Sequence, residues 1–256
     1  MSSISFDRAA DYYDKTRSLP KEQADQAVDL IAAELTGRGR TLEIGVGTGR
    51  IAMPLHSRGV DLVGIDISTP MLARLVTNAD GVPPFPLMVA DATQLPFAAA
   101  SYGATVASHV FHLIPGWRQA ADEVFRVVKP GGLLLADFGR HGGGPWHEPM
   151  EEMFRRHGVV RERVGVTDPD EFTDYVAGRA TRRDLPAVTI PIRASLSEIL
   201  EALERQIMSW TWGFTAEQMR AGGDDVRAWA AAEGIDPAER VEQPYVLQWH
   251  AYDLAD

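Results

Sequence analysis

The stretch that most constrains the fold is Leu42-Glu43-Ile44-Gly45-Val46-Gly47-Thr48-Gly49-Arg50, where an apolar strand runs into three alternating glycines and a helical pattern follows. Glycine at such a turn removes the side chains that would keep a ligand away from the backbone. A dinucleotide-binding turn reads G-x-G-x-x-G and would set its third glycine at position 50, where this chain has Arg50; the third glycine here is Gly49. That one-residue difference separates two cofactor classes. Asp66 closes a second apolar run in Gly64-Ile65-Asp66, and a carboxylate there can accept both hydroxyls of a ribose. Asp91 closes a third in Met88-Val89-Ala90-Asp91-Ala92, a neighbourhood that could take an adenine amino group. Turn, ribose acceptor and base reader thus occupy three consecutive strand ends, on the carboxyl edge where open sheets bind ligands.

Around this turn, short apolar runs alternate with helical periodicity, the pattern of βαβ units about a parallel sheet. Ala24, Ala27, Val28, Ile31 and Leu35 make one helical stripe. Strands are expected at 41–44, 62–65, 87–90, 104–108 and 133–138, with helices at 50–57 and 70–77, the second capped by Ser68. A further helix carries Trp117, Ala121, Val124, Phe125 and Val128, and Lys129-Pro130-Gly131-Gly132 should stop it before the fifth strand. Beyond residue 140 the pattern loosens. It suggests a helix over 145–157, a strand over 188–192 broken by Pro191, and a capping box of Ser195 with Glu198 before Leu196, Ile199, Leu200, Leu203 and Ile207. Two short helices, 215–220 and 224–232, are expected on either side of Gly222-Gly223, and a final strand over 245–252. The expectation is a single α/β domain over 1–256 with helices inserted late.

Composition narrows the function. Without cysteine there is no disulfide framework, thiolate metal site or cysteine nucleophile. A net charge of −11 repels phosphate backbones, so no nucleic-acid partner is expected. No apolar run approaches the roughly 18–20 residues of a membrane helix, and the N-terminus lacks a hydrophobic signal core, so no membrane partner and a cytoplasmic location are expected.

With these residues in view, the chain resembles the class I S-adenosylmethionine-dependent methyltransferases of the small-molecule type. The resemblance lies in LEIGVGTGR (42–50), GIDIS (64–68), MVADATQLPF (88–97), ASHVFHLIP (107–115) and VVKPGGLLL (127–135), with FDRAADYYDKTR (6–17) similar to the family's lid segment. It covers roughly residues 5–138 and weakens from 139 onward. It implies a Rossmann-like, doubly wound, seven-stranded, mostly parallel sheet with an antiparallel last strand. Within that domain, 1–20 would form the lid, 37–138 the cofactor core and 139–240 the substrate-side helices. It also implies that Gly45, Gly47 and Gly49 line the methionine part of S-adenosylmethionine, with Glu43 supporting the turn. Asp66 would hold the ribose, Ile67 and Met71 would pack on the adenine, and Asp91-Ala92 would read its edge. Tyr13 and Arg17 match lid positions, and Ser108 lies near the sulfonium.

A methyl sulfonium is already activated, so the protein mainly aligns a nucleophile behind the methyl and excludes water, which lowers a barrier by about 7–11 kcal/mol. A general base adds ~10²–10⁴-fold where the acceptor must lose a proton. The candidates are His109 and His112, which follow the fourth strand. His141-Gly142-Gly143-Gly144 is similar to an esterase oxyanion loop, but no serine stands in a G-x-S-x-G setting, so it is read as a flexible loop leaving the fifth strand. Asp137, His141, His147 and Glu148 match no recurrent ligand spacing, and no metal is expected. Tyr12, Phe111, Trp117, Trp146, Trp210, Trp212 and Phe214 are expected around the mouth of the site, where they would suit a planar or apolar acceptor. The resulting expectation is in-line methyl transfer to oxygen, nitrogen or carbon of a small, apolar or aromatic acceptor, leaving S-adenosylhomocysteine, by a monomer or homodimer. An NAD-dependent oxidoreductase is the alternative that Arg50 argues against, and a cofactor-binding protein without transfer is the other.

Overall fold

The computed structural model describes residues 5–17, 19–139, 144–243 and 245–256. Its strands in chain order are β1 (Thr41–Ile44), β2 (Leu62–Asp66), β3 (Leu87–Val89), β4 (Tyr102–Ser108), β5 (Val128–Asp137), β6 (Ala180–Asp184), β7 (Val188–Ile190), β8 (Arg193–Ser195), β9 (Arg240–Glu242), β10 (Tyr245–Leu247) and β11 (His250–Leu254). The helices are α1 (Tyr13–Arg17), α2 (Lys21–Leu35), α3 (Ala52–Ser57), α4 (Thr69–Asn78), α5 (Trp117–Val127), α6 (His147–Arg156), α7 (Pro169–Val176), α8 (Leu196–Glu204) and α9 (Ala216–Ala232). The chain divides into two compact units: Met1–Gly139 with Arg163–Val188 and Leu247–Asp256, and Arg140–Glu162 with Thr189–Val246. The segment 139–240 is therefore not one block, because 163–188 return to the first unit.

The first unit is built on a seven-stranded sheet of order β3-β2-β1-β4-β5-β11-β6. β1 runs parallel to β2 and β4, while β11 runs antiparallel to both β5 and β6. The doubly wound sheet with an antiparallel last strand is thus as expected. Every residue of β1 and β4 is buried, which is why they read as continuous apolar runs rather than alternating ones. Strand order reverses between β1 and β4, and that switch point opens a crevice at the carboxyl ends of the central strands.

Two expectations change here. β5 begins at Val128, not 133: Lys129 to Gly132 are taken up in a shift of register between the pairs Tyr102–Val128 and Ala104–Leu133. Phe111 and Trp117 do not surround a mouth. Both are buried, Phe111 against Phe172 at 4.9 Å between ring centroids and Trp117 against Phe172 at 5.8 Å, with Phe138 and Tyr252 completing the aromatic core.

The second unit is mainly helical. Its core joins Trp146, Met153 and Phe154 to Leu196, Leu200 and Leu203 of α8 and Met219, Val226 and Ala230 of α9. The expected Ser195–Glu198 capping box caps α8, and an unforeseen Thr215–Gln218 box caps α9. α9 is a single helix through Gly222 and Gly223, contrary to the two short helices expected. Both glycines are buried. A β-carbon on Gly222 would come within 2.4 Å of the Phe154 ring, so the missing side chain lets α6 and α9 approach closely instead of ending a helix. Trp146 lies in this core, Trp210 and Phe214 pack against it, and Trp212 donates its indole N–H to the Gln206 carbonyl at 2.9 Å, so packing and local bonding account for these aromatics. The expected strand 188–192 stops at Ile190 as β7, with β8 a separate strand beyond it, and the expected strand 245–252 divides into β10 and β11. Proline 191 explains the first break, since it has no N–H for a ladder. No helix among the described residues is long and apolar enough to cross a membrane.

Candidate active site

β1 delivers the chain to Gly45 at φ 64°, where a β-carbon would lie 2.5 Å from Cγ2 of Val110. Only glycine fits that conformation and that space. The next glycine, Gly47, donates its amide to Oδ2 of Asp66 at 2.9 Å, and Asp66 Oδ1 accepts the Ser68 amide at 2.8 Å. Asp66 therefore binds the turn after β1 to the start of α4, whose first turn Ser68 caps by accepting the Met71 amide. Burial pushes the Asp66 carboxyl up, and the amides of Ser68 and Gly47 oppose that shift. Asp91 Oδ1 accepts both the amide and the hydroxyl of Thr93 at 2.9 Å.

These strand ends line a cavity that opens to solvent. Of the residues chosen from sequence, it is lined by Tyr13, Gly45, Gly47, Asp66, Ile67, Met71, Asp91, Ala92, Ser108 and His109. Glu43, Gly49 and His112 are not among its lining residues. Gly49 faces elsewhere: a β-carbon there would meet Met53 at 2.7 Å and Leu75 at 3.0 Å, so it packs the turn onto α3 and α4. The side chain of Arg17 and the loop residues His141, Gly142 and Gly143 lie outside the described residues. Sequence reasoning missed Phe6, Ile65, Ala90, Val110, Leu113 and Ile114. The lid motif beginning at Phe6 and the segment after β4 were the available signals.

The N-terminal segment is bonded to the rim of this cavity. Phe6 and Tyr13 meet edge to face at 5.6 Å. Ser68 donates its hydroxyl to Asp7 at 2.5 Å, while Asp14 accepts from the Thr48 hydroxyl at 2.5 Å and the Asn78 amide at 2.9 Å. Hydrogen bonds from Ser5 and Ser68 hold the Asp7 carboxyl below its ordinary range.

Two buried acids lie beneath the turn. Glu43 is 2% exposed, and its Oε2 has no hydrogen-bond partner among the described residues. Burial pushes it up to about 8, opposed by Arg50 and reinforced by Asp137 and Asp66. It is therefore mostly protonated at neutral pH, which lowers the cost of keeping it buried. Asp137 closes β5. It accepts from the Ser108 hydroxyl at 3.0 Å and from the amides of His109 and Gly139 at 3.2 Å each, and its Oδ1 lies 3.3 Å from His109 Nδ1. Burial pushes this carboxyl up as well, with Arg50 and the Ser108 hydroxyl opposing. His109 itself sits at φ 51°, a left-handed conformation that costs a non-glycine residue about 1–2 kcal/mol.

Residues 42–136 match the family described as "Methyltransferase domain". The chain is 30% identical over 189 residues to an uncharacterized methyltransferase of Mycobacterium tuberculosis, covering 70% of this chain and 74% of that protein. The chain belongs to the class I S-adenosylmethionine-dependent methyltransferases. It is also 31% identical over 157 residues to a demethylmenaquinone methyltransferase of Renibacterium salmoninarum, a match that takes in 59% of this chain but less than two thirds, 64%, of that protein. Among solved structures, the YcgJ protein of Bacillus subtilis shares the fold at a TM-score of 0.58 and 19% identity, covering 90% of this chain and 99% of that one.

The site of this methyltransferase fits the family's cofactor. The turn lines the cavity with bare backbone at Gly45 and Gly47, and Val110 of the same wall takes the room that a β-carbon on Gly45 would need. The apolar Ile67 and Met71 and the acids Asp66 and Asp91 line the same cavity, supplying flat apolar contact and hydrogen-bond acceptors for a nucleoside. The nicotinamide alternative falls with the family assignment.

Proposed function

We propose that this methyltransferase methylates oxygen, nitrogen or carbon of a small, apolar or aromatic acceptor by in-line displacement. When bound, S-adenosylmethionine supplies a methyl already activated by its sulfonium. Asp66 would hold the ribose hydroxyls, Asp91 and Ala92 the edge of the adenine, and Ile67 and Met71 its faces. The backbone at Gly45 and Gly47 would admit the methionine part, and Phe6 and Tyr13 would cover it and keep water out. His109, in the wall of the same cavity, would take the acceptor's proton. The observation that carries this reading is that one cavity unites the open turn, both strand-end acids and His109. A quinone acceptor is supported by the relative named for demethylmenaquinone.

Calorimetry with S-adenosylhomocysteine and turnover with labelled S-adenosylmethionine across phenols, hydroquinones and amines test it. Asp66→Ala should weaken nucleoside binding about 10–100-fold, as loss of a charge-assisted hydrogen bond does. His109→Ala should lower turnover ~10²–10⁴-fold with that affinity unchanged. Absence of measurable nucleoside affinity in the unaltered protein would sink the proposal.

A further inference from the structure

Asp137 ends β5 directly opposite Ser108, its register partner at the end of β4. Its side chain is 1% exposed, and it holds His109 at two points: Oδ2 accepts the His109 amide, and Oδ1 lies 3.3 Å from Nδ1 of the ring. The first contact ties the backbone at its left-handed φ, and the second brings a particular ring nitrogen within ion-pair distance of the carboxylate. The remaining partners of Asp137, the Ser108 hydroxyl and the Gly139 amide, both donate to it and oppose the upward push of burial on its carboxyl. An imidazole whose Nδ1 faces a carboxylate carries its proton on that nitrogen, which leaves the acceptor lone pair on Nε2.

We propose that Asp137 is a positioning residue for His109: it holds the ring in the Nδ1–H tautomer and so makes Nε2 the proton-accepting nitrogen at the cavity wall. This rests on the reading of His109 as the proton acceptor. In the step it serves, the acceptor's proton passes to Nε2 while the electron pair it leaves forms the bond to the methyl carbon. The pair of the broken carbon–sulfur bond stays on sulfur, Asp137 stabilises the imidazolium, and that proton later leaves to water. The other ionisable groups around this pair among the described residues include His112, whose ring stands edge-on at 6.2 Å, Glu43 on β1, Arg50 after the glycine turn and His250 on β11.

Nitrogen NMR of ¹⁵N-histidine-labelled full-length protein, without any ligand, reads the tautomer directly, with the His109 signal assigned by its loss in His109→Gln. The expected result is an Nδ1–H tautomer for neutral His109. Asp137→Asn should move that proton to Nε2 and lower the midpoint of the His109 titration by about 1–3 pH units, as removal of an adjacent opposite charge does. A purely structural role for Asp137 would leave both readouts in place. An Nε2–H tautomer in the unaltered protein overturns the proposal even if the variant fails to fold. The two ideas fail separately: the expected tautomer with undiminished turnover in His109→Ala would sink the proton-acceptor reading alone, whereas an Nε2–H tautomer would sink the role of Asp137 and leave that reading standing.

Discussion

In the sheet unit, Gly45 and Gly47 stand at positive φ after a strand and keep side chains out of a cavity. In the helical unit, Gly222 and Gly223 lie in the middle of α9, where the absent side chain is matched by Phe154 for the first and Glu204 for the second. Gly45 leaves its side-chain space to Val110 in the cavity wall, whereas the pair in α9 leaves theirs to Phe154 and Glu204 in a helical core. A glycine in the interior of a helix costs up to ~1 kcal/mol relative to alanine, so α9 persists because packing offsets that cost. The meaning of a glycine pair therefore depends on what fills the space beside it, and that neighbour is remote in sequence.

Substitutions can break this comparison. Gly45→Val should have the largest effect, lowering S-adenosylhomocysteine affinity by ~100-fold or more, since it combines strain at positive φ with a clash at Val110. Calorimetry that found near-normal affinity would remove the basis for treating the turn as a ligand cradle. Gly222→Ala should destabilise the protein by about 1–3 kcal/mol in urea unfolding, through overpacking against Phe154, with nucleoside affinity unaltered in the folded protein. A gain in stability would mean that the helices have room to spare.

A third experiment sharpens the contrast on the sheet side. Because Glu43 titrates near 8 when folded and near the ordinary carboxylate range when unfolded, the folded protein holds the extra proton between those values. Glu43's contribution to stability should fall with rising pH by about 1.4 kcal/mol per unit from about pH 5 to 8, read as the difference in slope between the unaltered protein and Glu43→Gln in urea titrations at several pH values. The smallest effect is expected at the N-terminal segment. Asp7→Ala removes the contact with the Ser68 hydroxyl and should weaken nucleoside binding by about 1 kcal/mol, roughly 5-fold. An equal loss of thermal stability without any change in affinity would show that the contact serves folding alone.

Much of the cofactor half was legible because its signals are local. The strand ends at Ile44, Asp66 and Ser108 and the cap at Ser68 each express a turn or cap preference within a few residues. Ten chosen residues accordingly line one cavity. Phe111 and Trp117 were misplaced because an aromatic after a strand has the same local pattern whether it turns to the ligand or to Phe172. α7 and β6 went unread: the polar sequence Ala180-Thr181-Arg182-Arg183-Asp184 becomes a strand only by pairing with β11, about seventy residues away.

The amino-acid sequence by itself determined the α/β class, the order of the early strands and the carboxyl edge that meets the cofactor, because period and turn chemistry act between near neighbours. Only the tertiary structure decided that Asp137 reaches His109 across 28 residues, that Asp7 reaches Ser68 across 61, and that the two glycines of α9 continue a helix. Those outcomes depend on which side chains packing brings within a few ångströms, and spacing along the chain does not encode that.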